Sequence, residues 1–275
     1  MLKYMKIALI SVLLCIVYSS SCLADDTSLG RTPEGVYPIE NNDIEMTDEL
    51  INIYLEEGRV ECTFTFKNTG KEDSVLMGFP ATLDADYVNQ KPGDPEESTI
   101  RDFTAFDGGK KLPVMLEKEV KEDLKDADKR WYDMWYTFEV DFKAGETKTI
   151  KNTYKFNAPV CAVGPGLILT GYVLDTGAAW EGSIGHAKVV FHLDGIPFTR
   201  IYSFSPFDTA ALTLEEDKLI FEKSDFEPDF NLDLSYWTDP GNLDEDEPIH
   251  EYFNYLRHMR LNRFLELVES DVKER

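Results

Sequence analysis

Between Leu50 and Phe66 the side chains alternate apolar and polar, and this period of two ties the chain to β-structure more firmly than any other feature. Ile51, Ile53 and Leu55 fall on one face and Asn52 and Tyr54 on the other. Glu57-Gly58 turns the chain, and Val60, Cys62, Phe64 and Phe66 return inward while Glu61, Thr63 and Thr65 face out. The pattern predicts a hairpin with one buried face, which needs a second layer to cover it.

The same rhythm recurs along the chain. Val75, Met77 and Phe79 predict a strand stopped by Pro80. Further strands are expected over 100–106 and 112–116, joined by the turn Asp107-Gly108-Gly109, and over 147–156, 187–193, 199–204, 218–222 and 230–236. Residues 84–98 and 117–130 are polar or charged, and read as a loop and as a loop or frayed helix. Beyond an acidic Pro- and Gly-containing linker at 239–248, Leu261, Phe264, Leu265, Val268 and Val272 fall at helical spacing, so 249–275 is expected to be an amphipathic helix, packed on the sheets or docked on a partner. The predicted fold is an all-β antiparallel sandwich over 44–238, as one unit or as two lobes, 44–158 and 159–238. An extended leader over 25–43 precedes it, and structure is expected to begin near Ile44.

Lys3 and Lys6 stand before an apolar run from Ile7 to Tyr18, and the small residues up to Ala24 complete the pattern of a secretory signal peptide, residues 1–24. That run is shorter than the roughly 20 apolar residues of a membrane helix, and no transmembrane span is expected. A lipoprotein site at Cys22 is a competing reading, opposed by Ser19 where a large aliphatic is usual. The expected location is the cell envelope or exterior.

The formal net charge of −24 becomes more negative still without Lys3 and Lys6. Nucleic acid is therefore not an expected partner, since binding it needs clustered basic side chains. An envelope protein or a polysaccharide is. Cys62 and Cys161 remain after the signal is removed; in an oxidising compartment they form a disulfide, or else both are small buried hydrophobes.

Three further features bear on function. Counting along 132–142 places Tyr132, Met134, Tyr136, Phe138, Val140 and Phe142 inward, which leaves Trp131 and Trp135 outward as a candidate carbohydrate-stacking platform. Six of the 17 glycines fall between Gly164 and Gly185, predicting a tight crossover anchored by Trp180. Within it, Asp175-Thr176-Gly177 resembles the catalytic loop of aspartic peptidases. One such motif would need a homodimer to supply the second carboxylate, and the plainer reading is a turn capped by Asp175 with Gly177 at positive φ. His186, His192, His250 and His258 form no metal-ligand spacing, no nucleophile elbow or cofactor fingerprint occurs, and the chain is read as non-enzymatic, with no cofactor and no metal.

Ile44-Glu45-Met46 with Glu49, the hairpin after it, Met77-Gly78-Phe79-Pro80, Trp135 to Tyr154 and Tyr172 to Gly185 together resemble a family of exported bacterial proteins classed as a domain of unknown function. The likeness covers roughly 44–236. It implies an extracytoplasmic β-sandwich and brings no functional residues with it.

Overall fold

The structure is a computed structural model that describes residues 27–32, 35–38, 41–81, 98, 100–118, 134–156, 167–196, 200–205, 211–215 and 217–237. The expected signal peptide, the linker at 239–248 and the helix at 249–275 lie outside the described residues, as do Trp131 and Cys161.

The described chain is almost entirely β, with strands β1 (Thr27–Thr32), β2 (Gly35–Pro38), β3 (Ile44–Tyr54), β4 (Arg59–Asn68), β5 (Asp73–Ala81), β6 (Ile100–Asp107), β7 (Lys110–Lys111) and β8 (Met115–Lys118). They are followed by β9 (Met134–Phe142), β10 (Thr147–Phe156), β11 (Leu167–Tyr172), β12 (Ile184–His192), β13 (Ile201–Ser205), β14 (Leu212–Glu215), β15 (Lys218–Phe226) and β16 (Leu232–Trp237). An eight-stranded sheet runs β14-β15-β12-β3-β4-β10-β6-β7, and sheets of five (β2-β1-β5-β9-β8) and three (β11-β16-β13) strands accompany it.

The alternation that predicts the hairpin also builds the core. Ile51, Ile53, Val60, Cys62, Phe64 and Phe66 are all buried, as are Ile150, Tyr154 and Phe156 on the neighbouring β10. The five-stranded sheet covers one part of this face, with Phe79 of β5 at 5.0 and 5.1 Å from the rings of Tyr154 and Phe103 respectively. The three-stranded sheet covers another, bringing Phe204 of β13 to 5.8 Å from Phe191 of β12. Strands from before and after residue 158 thus share one sheet and one hydrophobic cluster.

Several expectations need correction. The leader is not merely extended, because β1 and β2 pair with each other and β1 adds to β5. No apolar period marks this hairpin in the sequence. Pro80 does not stop β5, which continues to Ala81 opposite Met134. β1 reaches only Met77 and Gly78, so the missing N–H of Pro80 interrupts no ladder on that side. The strand expected at 112–116 is two short pieces, β7 and β8, and the second continues into the charged stretch as far as Lys118.

Almost every pairing is antiparallel, with one exception at the centre of the large sheet. β3 runs parallel to β12, from Ala187↔Glu49 to His192↔Tyr54. A bulge between Met46 and Asp48 shifts β3 against β4, so the inward set passes from Ile44 and Met46 to Glu49, Ile51 and Ile53. The bulged backbone also crowds β12. A Cβ at Gly185 would stand 2.5 Å from the Thr47 carbonyl oxygen, closer than any side chain allows.

Candidate functional site

Parallel pairing places the C-terminal ends of β3 and β12 side by side, and the turns that follow them line a common cleft. Leu55 N–H donates to the His192 carbonyl at 3.2 Å, joining the two ends. The first turn, Leu55–Gly58, is held to β10 by Phe156 N–H donating to the Gly58 carbonyl at 2.8 Å. In the second, Ile196 N–H donates to the Leu193 carbonyl at 2.8 Å. Its central residues Asp194 and Gly195 have φ of 51° and 88°, the paired left-handed conformation that Asp-Gly tolerates well.

The cleft has a volume of about 730 Å³. Leu55, Phe156, Ile168, Ile196 and Tyr236 form its apolar wall, and Glu56, Glu57, Asp194 and Arg200 its polar one. The three-stranded sheet supplies part of both, since Ile168 and Ile201 flank Tyr236 in register and Arg200 directly precedes β13. Burial pushes the Tyr236 phenol up to about 12, so it acts there as a neutral hydrogen-bonding group.

A stack of side chains borders the cleft on the outer face of the large sheet. The Arg59 guanidinium lies 3.9 Å from the centroid of Tyr54, whose ring stacks on His192 at 4.3 Å and 10°. Arg59 also pairs with Glu57, its Nε 2.8 Å from the carboxylate, and with Glu61. Burial holds the His192 imidazole below its ordinary value, more than offsetting the pull of Asp194, and Nε2–H donates to Asn52 Oδ1 at 2.9 Å.

Two other polar groups stand out. Glu49 is fully buried in the core beside the bulge, and desolvation pushes its carboxyl up to about 8 although the Tyr172 phenol favours the ionised form. On the opposite face its neighbour Asp48 accepts from His186 Nδ1 at 2.9 Å, while Nε2 of the same ring stands 3.1 Å from Glu222. The bond to Asp48, before that to Glu222, raises the imidazole above its ordinary value.

The residues singled out from sequence fare differently. Trp135 is wholly buried, flanked in register by Pro80 and Glu117, so its indole presents no face to a sugar chain. The period-two count places it on the outer face correctly, but that face is closed at this end of β9, where Thr137 is buried too and donates to Glu117 at 2.7 Å. Asp175 opens a 3₁₀ helix, Asp175–Ala179. Asn231 clamps it: Nδ2 donates to the Asp175 carboxylate at 2.9 Å, and Oδ1 accepts from Leu174 and Asp175 N–H at 2.7 and 3.1 Å. Gly177 is buried without positive φ, its carbonyl accepting from Trp180 N–H, which corrects the simple-turn reading as well. Trp180 is buried against Phe66, centroids 4.8 Å apart, in the anchoring role expected of it. Cys62 is buried opposite Asn152. Among the described residues no group of three His, Cys, Asp or Glu could hold a metal ion, and no helix is long and apolar enough to cross a membrane.

The cleft itself escapes sequence reading, because its residues come from six separate elements. Glu49 left a signal: it falls in step with Ile51 and Ile53, a carboxylate on an apolar face.

Residues 24–153 match the family model described as Domain of unknown function (DUF4424). The resemblance expected over roughly 44–236 is thus met from β3 to most of β10, while Tyr172 to Gly185 lies beyond the matched segment. No curated protein matches the chain. A crystal structure from Legionella pneumophila subsp. pneumophila str. Philadelphia 1, of a protein provisionally described as nutrient binding, is similar in fold with TM-score 0.57 and 18% identity, over 90% of this chain and 99% of that one. An M1 zinc metallopeptidase from Deinococcus radiodurans gives TM-score 0.36 and 10% identity, over 73% of this chain and 43% of its own. Legionella pneumophila aminopeptidase A gives 0.33 and 8%, over 77% and 23%. At such scores the two peptidases carry no argument about this chain. The segment that matches this family model contributes the Leu55–Gly58 turn to the cleft, and the rest of the chain contributes Asp194, Arg200 and Tyr236.

Proposed function

We propose that this protein is a non-catalytic binding module of the cell envelope or exterior that takes a small solute into the cleft between the β3 and β12 turns and the three-stranded sheet. The observation that carries this reading is the cleft: its volume of about 730 Å³ falls within the usual range for small-molecule sites, and it sets a few polar groups against an apolar wall. The fold shared along nearly the whole length of a protein provisionally described as nutrient binding supports the same reading. The amino-terminal pattern of Lys3, Lys6 and the apolar run supports export.

Thermal unfolding against a panel of amino acids, amines, organic acids and sugars tests the binding role. A ligand at one hundred times its Kd stabilises the folded state by about 2.7 kcal/mol, a shift readily measured. Ile196→Trp places an indole in the cleft and is expected to abolish that shift while leaving the unliganded protein as stable as before. A panel without any shift, or full binding by Ile196→Trp, overturns the proposal.

A further inference from the structure

Within the cleft, the carboxylates are not equally provided for. Glu57 is paired with Arg59, and Arg200 has a partner of its own. Glu56 and Asp194 have no cationic partner among the described residues. Asp194 is the more confined: the left-handed turn fixes its backbone, and its half-buried side chain lines the cleft. Burial holds His192 toward its neutral form, so it brings no full counter-charge to Asp194 at neutral pH. A half-buried carboxylate beside an apolar wall attracts a cation more strongly than one in open water does. The protein's net charge of −24 draws cations toward it over longer range.

We propose that the cleft selects an organic cation, a primary ammonium on an aliphatic body, with Asp194 as its principal counter-charge. The ammonium lies beside Asp194, with Glu56 at the rim, and the aliphatic part lies along Leu55, Ile168, Ile196 and Tyr236. An anion is disfavoured because three of the four charged side chains that line the cleft are carboxylates. This inference rests on the reading of the cleft as a solute site and specifies its chemistry.

The test is isothermal titration of the full-length protein with 1,4-diaminobutane at 150 mM salt, where diffuse attraction is screened beyond roughly 8 Å. Butane-1,4-diol and succinate serve as controls of equal length. Asp194→Asn keeps the turn, since asparagine adopts left-handed φ readily, and removes only the charge. Saturable binding of the diamine alone, weakened at least tenfold by Asp194→Asn and unchanged by Glu139→Gln on the exposed face of β9, is the expected result. No binding of the diamine, equal binding by Asp194→Asn, or an equal loss in Glu139→Gln overturns the inference. Binding of succinate or the diol that Ile196→Trp abolishes also overturns it, while leaving the solute-binding role intact.

Discussion

Replacing Glu49 by glutamine isolates the energetic consequence of a carboxyl group in the core. Glu49 is buried completely, and burial pushes its pKa up to about 8 from an ordinary 4.5. The folded protein therefore holds a proton there, between those two values, that the unfolded chain has lost. Stability falls with rising pH wherever the folded state binds more protons, so Glu49 contributes its full stability below about 4.5 and loses it progressively up to about 8. Each unit of separation is worth about 1.4 kcal/mol, and a gap of roughly 3.5 units gives a loss on the order of 5 kcal/mol by pH 9. Glutamine has nearly the shape of the protonated acid and retains a partner for Tyr172, but it does not ionise. Urea unfolding at pH 5, 7 and 9 is expected to show Glu49→Gln close to wild type at pH 5, more stable by about 3 kcal/mol at pH 7, and by roughly 5 at pH 9. The difference between the two proteins cancels the titration of the many surface carboxylates. If it is the same at pH 5 and pH 9, the side chain is not held neutral by burial and the reasoning fails.

Other perturbations probe other parts of the structure. The His186 ring, whose pKa is raised by Asp48 and Glu222, is expected to titrate above 6.5 by NMR and to move down in Asp48→Asn; because the shift is upward, its small stabilising contribution is present at low pH and disappears as pH rises through the raised value. Trp180→Ala removes a buried indole from Phe66 and is expected to destabilise by about 3 to 5 kcal/mol without moving the charge of any group; calorimetry showing an unchanged Tm would refute the anchoring role. Gly185→Ala forces a Cβ against the Thr47 carbonyl, at 2.5 Å if nothing moves, and is expected to lower Tm by more than Gly195→Asn, which keeps a residue tolerant of left-handed φ in an open turn. A thiol count on the unfolded, unreduced protein distinguishes a Cys62–Cys161 bridge, which yields none after the signal is removed, from two buried thiols.

The large sheet was legible in the sequence wherever one face alone is buried. β10 agrees with its expected bounds to the residue, and β4 is read correctly because Glu61, Thr63 and Thr65 mark the open face unambiguously. Legibility fails where both faces are covered. In β9, Met134 and Trp135 are consecutive and both buried, so alternation assigns Trp135 a face correctly but says nothing about what lies over it. β11 is missed for the same reason: five of its six residues are buried, Gly171 among them, and a Cβ there would come within 2.1 Å of the Leu232 carbonyl oxygen. Its glycine reports close backbone approach in a strand, whereas dense glycine in sequence suggests a turn.

The parallel pairing of β3 with β12 is what no local pattern can announce, and the site depends on it. An antiparallel partner would place the β12 turn at the far end of the sheet, away from Leu55–Gly58. Because the strands run the same way, the chain must cross over between β3 and β12, and the three-stranded sheet begins on that crossover with β11, bringing Ile168 to the cleft. The bulge at Thr47 serves the same junction. It turns Glu49 inward opposite Ala187, at the first register position of the parallel pair, and requires Gly185 just before it. Glu49 thus stands at one end of the parallel pairing and the cleft at the other. Unless a ligand makes contact along that whole distance, Glu49→Gln should change the pH dependence of stability and leave solute affinity where it was, so the two sets of measurements separate a structural carboxylate from a binding one.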